Sequence, residues 1–67
     1  MQDNKDLILK AKMLIADNLG VYISEKYEKF YEDKDAETII RSLEVLLTDI
    51  IGSEPAKNQL KKYKIIL

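Results

Sequence analysis

The chain has 67 residues, 46% hydrophobic and 34% charged, with a formal net charge of −1, which bounds it to one small domain, residues 1–67, of ordinary globular balance. It has no cysteine and no histidine, so disulfides are excluded and zinc, haem and iron–sulfur centres lose their usual ligands. The near-neutral charge supplies no global field toward nucleic acid or a membrane surface, and no run approaches the ~20 apolar residues that cross a bilayer.

Asp3, Asp6, Lys10 and Lys12 interrupt any secretory apolar core, and the expectation is a cytoplasmic protein without a cofactor. A chain this short buries only about 60% of its unfolded surface. Without crosslinks it depends on good helix packing or on a partner, most simply a second copy. Charge is unevenly spread. Residues 25–54 hold nine acids and four bases, whereas residues 55–67 hold four lysines and no acid.

In chain order, Asp3 or Asn4 suits a helix N-cap, and Asp6 then lies in the first turn, where the helix dipole favours an acid. From Leu7 onward the pattern is apolar at helical spacing on two sides. One stripe is Leu7, Ile8, Ala11, Leu14, Ile15, Leu19 and Tyr22. The other is Leu9, Met13, Ala16, Gly20, Ile23, Tyr27 and Phe30. The second stripe keeps its phase through Gly20, and nothing in Val21–Ile23 resembles a fresh N-cap. The spacing therefore favours one long helix over 4–32, kinked at most at Gly20, where Ala16 and Gly20 would let a neighbouring helix approach closely. The alternative is a helix stop with Gly20 just past the end.

Glu32-Asp33-Lys34-Asp35 reads as a solvated turn, with Asp35 capping a second helix over 35–51. Ala36, Ile39, Ile40, Leu43, Leu46, Leu47, Ile50 and Ile51 form its inner stripe, and Val45 lies away from it. Gly52 ends it. Ser53-Glu54-Pro55 opens a third helix over 53–64: a capping serine, an early acid, and a proline whose missing N–H is no loss there. Its inner face is Ala56, Leu60, Tyr63 and Leu67, and its outer face carries Lys57, Lys61 and Lys64. No strand pattern or sequence repeat stands out. The fold expected is all-α, a small three-helix bundle with a long first helix. The second helix, about 25 Å long, can cover only part of a first helix of about 43 Å, and dimerisation completes the bundle.

Chemistry finds little purchase. Asp33, Asp35, Glu37 and Glu44 mimic calcium-loop spacing, but Thr38 stands where the sharp turn needs glycine. Glu25, Glu28 and Glu32 share one helix side with Lys26 and Lys29 interleaved, which suits a solvated face. Ser24, Ser42 and Ser53 have no histidine to activate them, and two glycines cannot build a phosphate loop. A cluster of Tyr22, Tyr27, Phe30 and Tyr31 in acidic surroundings fits core and partner contact better than base stacking. The expectation is a non-enzymatic helical interaction or regulatory module that self-associates. Leu9, Met13, Ala16, Gly20, Ile23, Tyr27 and Phe30 are its interface, with another protein as a further possible partner. The alternative is a DNA-binding module, with Lys57, Lys61, Lys62 and Lys64 of the last helix contacting nucleic acid beyond a helix-turn-helix joint at Gly52. No stretch carries the motif of a known family.

Overall fold

The computed structural model describes residues 4–66. Four helices follow one another: α1 (Lys5–Leu19), α2 (Val21–Tyr31), α3 (Ala36–Ile51) and α4 (Ser53–Lys62). The all-helical class agrees with the sequence pattern; the three-element count does not, because the long first helix is two. At Gly20 the backbone takes φ 96° and ψ 162°, a conformation essentially confined to glycine. The chain reverses there in one residue. A Cβ built on Gly20 would meet nothing within 4 Å, so the close helix approach expected beside Ala16 is absent. Gly20 is required for its dihedral angles, not for its small size.

The missing cap signal at this joint has an electrostatic reason. The negative end of α1 abuts the positive end of α2, so each helix end partly answers the other. Accordingly the last turn of α1 has no base and the first turn of α2 no acid. The hydrogen-bond ladder also nearly continues through the joint. Gly20 N–H donates to the Ala16 carbonyl at 3.0 Å, and Ser24 N–H donates to the Gly20 carbonyl at 3.1 Å.

The joint between α3 and α4 repeats this geometry. Gly52 has φ 92° and ψ 164°, its N–H donates to Thr48, and its carbonyl accepts from Ala56. Gly52, not Ser53, occupies the N-cap of α4, and Ser53 is the first helical residue. The two glycines are 32 positions apart, and the same offset aligns much else. Buried Ala11, Ile15 and Ser24 match buried Leu43, Leu47 and Ala56, while Tyr31 matches Tyr63 and Asp17 matches Asp49. The molecule is thus two helix–glycine–helix halves, a repeat the sequence reading missed because it lives in burial and backbone shape more than in identities.

Each half folds back on itself. Lys12 of α1 pairs with Glu28 of α2 at 3.0 Å, so α2 supplies the cover that the sequence reading sought from a second subunit. The halves join through one core: Ala11, Leu14, Ile15 and Tyr31 from the first, and Ile39, Leu43, Leu47, Ala56 and Leu60 from the second. Among the described residues, side-chain hydrogen bonds tie the first half to the second and to the turn between them. The Tyr31 hydroxyl and Ser42 Oγ are 2.9 Å apart, and the Asn4 side-chain amide donates to the Lys34 carbonyl at 3.1 Å. Asn4 takes the N-cap position of α1; Asp3 lies outside the described residues.

Asp35 caps α3 as its sequence suggests, accepting from Thr38 N–H at 2.8 Å. The α3 stripe is buried at Ile39, Leu43 and Leu47, but Ile50, expected on the inner stripe, is 45% exposed, while its neighbour Ile51 packs against the core. Helix α4 stops at Lys62, short of the expected residue 64. Lys64 has φ 59°, its N–H donates to Lys61, and Ile65 N–H donates to Leu60 at 2.9 Å. This is a Schellman closure with lysine where glycine is usual. Ile65 and Ile66 then pack against the core. Leu67, expected on the inner face, lies outside the described residues.

Candidate interaction surface

Helix geometry sets what each half shows to solvent. On α1 the buried side is Ala11, Leu14 and Ile15. Leu9 and Met13, one turn apart on the opposite side, are 54% and 58% exposed. Lys5, Asp6 and Asp17 surround them, and Ala16 is half-buried at their edge. On α2 the buried side is Ser24 and Tyr31, with Ile23 and Tyr27 half-buried against the core and Phe30 exposed. Tyr22, expected among the apolar residues left uncovered, is 69% exposed.

The interface stripe expected from sequence is therefore divided. Leu9 lines a depression with Lys5, Ile8, Glu28 and Glu32, on the α1 side of α2. Tyr27 instead opens into a groove between α2 and α3, of about 610 Å³, walled by Glu37, Thr38, Arg41, Ser42, Val45, Leu46 and Asp49. Tyr27 and Phe30 share an adjoining depression with Lys26 and Ser42. Gly20 is exposed at the joint between the two sets. A continuous seven-residue seam would have needed the unbroken helix.

The α2–α3 groove was not legible in the sequence, because Val45 and Arg41 sit on the solvent side of α3 and meet α2 only through the fold. Its polar groups are largely spent on local structure. Arg41 pairs with Glu37 one turn away at 3.2 Å, and Ser42 is engaged by Tyr31. Burial raises the Tyr31 hydroxyl above its ordinary pKa, and the Ser42 bond draws it back, so this phenol stays protonated at neutral pH. The carboxylates of the acidic turn are also occupied. Asp33 is lowered by hydrogen bonding to Lys34 and by its charge, and Asp35 by the Thr38 side chain and backbone N–H. Asp35 thus serves as the cap of α3. No cluster of three metal-ligating side chains occurs among the described residues, and no helix there is long and apolar enough to cross a membrane.

The lysines of the second half form a third feature. Lys57, Lys61, Lys62 and Lys64 are all exposed, and Lys62 lies 5.6 Å from the Tyr63 ring centre. The α3–α4 joint is one residue, shorter than the three- or four-residue turn of a helix-turn-helix. Comparisons with protein-family models, curated proteins and solved structures give no match.

Proposed function

We propose that the protein is a small non-enzymatic interaction module that associates with a second copy of itself through the outer face of α1. The observation that carries this is the exposed pair Leu9 and Met13 in the middle of a regular helix. An antiparallel two-fold contact would set Leu9 of one copy against Met13 of the other, because the same patch meets itself across such an axis. Tyr27 and Phe30 belong to a different surface and are free for another protein. The alternative reading, DNA contact through Lys57, Lys61, Lys62 and Lys64, has exposed cations in its favour. The one-residue joint at Gly52 and the acidic residues of α2 and α3 weigh against it.

Sedimentation equilibrium over a hundredfold concentration range tests the proposal. Association should rise with concentration and carry the melting temperature with it. Met13→Glu should leave the helical circular dichroism unchanged, because Met13 is exposed in the single copy, yet hold the protein at monomer mass. A monomer at every concentration in the parent protein would end the proposal.

A further inference from the structure

We infer that the turn at residues 32–35 is a hinge through which two copies of the chain exchange halves. The surface that meets the second copy is the core between the halves, and the outer face of α1 takes no part. The three joints differ in kind. Two are held by glycine at positive φ, 96° at Gly20 and 92° at Gly52. The middle one, Glu32-Asp33-Lys34-Asp35, has no glycine, no proline and no residue at positive φ. It is already close to helix. Glu32 has φ −54° and ψ −35°. Its N–H donates to the Lys29 carbonyl at 3.3 Å, and Lys34 N–H donates to Tyr31 at 3.1 Å, the pattern of a tightened last turn. Asp35 is extended, at φ −81° and ψ 168°. Moving Asp35 and its neighbours into the helical region would fuse α2 and α3 into one helix over 21–51, about 46 Å long.

A fused helix carries the two halves of one chain apart, so their core must be remade with another copy. A two-fold pair remakes it with the same residues. Ala11, Leu14, Ile15 and Tyr31 of each copy meet the α3 and α4 core of the other, and the Tyr31–Ser42 bond re-forms between copies. The halves themselves need not change, because each is closed by its own pair of helices; Lys12 and Glu28 join α1 to α2 in the first. Opening gives up the Asp35 cap on Thr38 N–H at 2.8 Å and the Asn4–Lys34 bond at 3.1 Å. It gains the helical backbone bonds of the fused turn and sets Lys29 one turn from Asp33. Core burial is nearly the same in the two forms, so concentration decides between them. A short link holds the second half at an effective concentration of about 1 mM toward its own first half. The closed single copy dominates well below that, and the exchanged pair competes near it.

The test uses the full chain with Met13→Glu throughout, which removes the α1 contact. Ala36 is the first residue of α3 and follows the extended Asp35. Proline suits the first helical position and an extended predecessor. In the fused helix it would delete the bond to the Glu32 carbonyl and clash with it. Ala36→Pro is therefore compatible with the closed form alone. Asp33→Ala with Asp35→Ala acts the other way, since it removes the cap and raises helix propensity through the turn. Each chain is unfolded and refolded at concentrations from about 10 μM to about 2 mM, and sedimentation equilibrium reads where half the chains are paired. The Met13→Glu chain should reach that point near 1 mM, in the range of about the effective concentration. The double-alanine variant should reach it at a concentration lower by about tenfold or more. Ala36→Pro should raise it by about tenfold or more, and should also disperse the pair when added to the double-alanine variant. A double-alanine variant that stays monomeric over the whole range overturns the hinge. So does a double-alanine pair that survives the addition of Ala36→Pro, because a surface contact does not need the turn to straighten. If Ala36→Pro fails to fold, as circular dichroism would show, the double-alanine variant decides alone.

Discussion

Replacing Gly20 with alanine isolates a backbone effect. The residue is exposed, and a Cβ there would touch nothing within 4 Å, so no packing term enters. What remains is the dihedral pair φ 96°, ψ 162°. It costs an L-residue about 1–3 kcal/mol, offset by roughly 0.4–1 kcal/mol from the reduced freedom of the unfolded chain. A net loss near 1–2 kcal/mol should lower the melting temperature of a domain this size by about 5–15 °C. Gly52→Ala should behave alike, since its angles are 92° and 164° and its nearest Cβ neighbour, Pro55 Cδ at 3.8 Å, is an ordinary contact. A chain of 67 residues is within reach of chemical synthesis, which supplies the decisive control. D-alanine at Gly20 adopts the mirror-image region without strain and should stabilise by roughly 0.4–1 kcal/mol. Thermal melts of the parent and the three variants give the result. An L-alanine variant melting within about 2 °C of the parent, or a D-alanine variant as damaged as the L form, would refute the account of the joint.

Three further outcomes follow from the packing. Leu43→Ala and Leu47→Ala should each cost about 2–5 kcal/mol in urea melts, while the exposed Val45→Ala should change little; comparable losses at all three would mean the inner face of α3 is misassigned. Lys64→Gly should stabilise by roughly 1 kcal/mol, because glycine accepts the positive φ that lysine is forced to hold; a loss in the same melts would count against the Schellman closure. The lowered Asp35 carboxyl makes a pH prediction. Its folded pKa lies below the unfolded value, so its contribution is present above the usual carboxylate range and is lost as pH falls through the folded pKa. Asp35→Asn keeps an acceptor for the Thr38 N–H, so it should flatten that part of the acid-side stability curve. An unchanged curve would show that the cap does not titrate with folding.

The helical class, the Asp35 cap, the α3 stripe and the exposed α4 lysines were legible because each rests on local periodicity or on one side-chain hydrogen bond. Gly20 was legible only as an ambiguity. The apolar spacing on both sides of it happens to share one helical phase, and abutting helix ends dispense with the cap residues that normally announce a break. At Gly52 the reverse held. Ser53-Glu54-Pro55 looks like a capped start, so the joint was placed correctly while the cap fell on the wrong residue. The exposure of Leu9 and Met13 was foreseen, but the reason given for it was not sound. It came from a long helix outrunning its cover, and in fact α2 folds back to cover the other side of α1. The division of the seam, the α2–α3 groove and the two-fold repetition are tertiary facts that depend on the turn at Gly20.

A joint of one residue leaves no slack, and this decides where the chain can change its length. An extra residue beside Gly20 would advance α2 by one helical position, about 100°. Ser24 and Tyr31 would swing out of the core and charged neighbours would swing in. The same holds at Gly52 for Ala56 and Leu60. Between the halves, residues 32–35 form a turn outside the buried core, and the halves meet through that core and the Asn4–Lys34 and Tyr31–Ser42 bonds, so added length there changes the helical phase of no buried face. Insertions should therefore be tolerated at the middle of the chain and refused at both glycines, which makes the half, rather than the helix, the unit that variation can move.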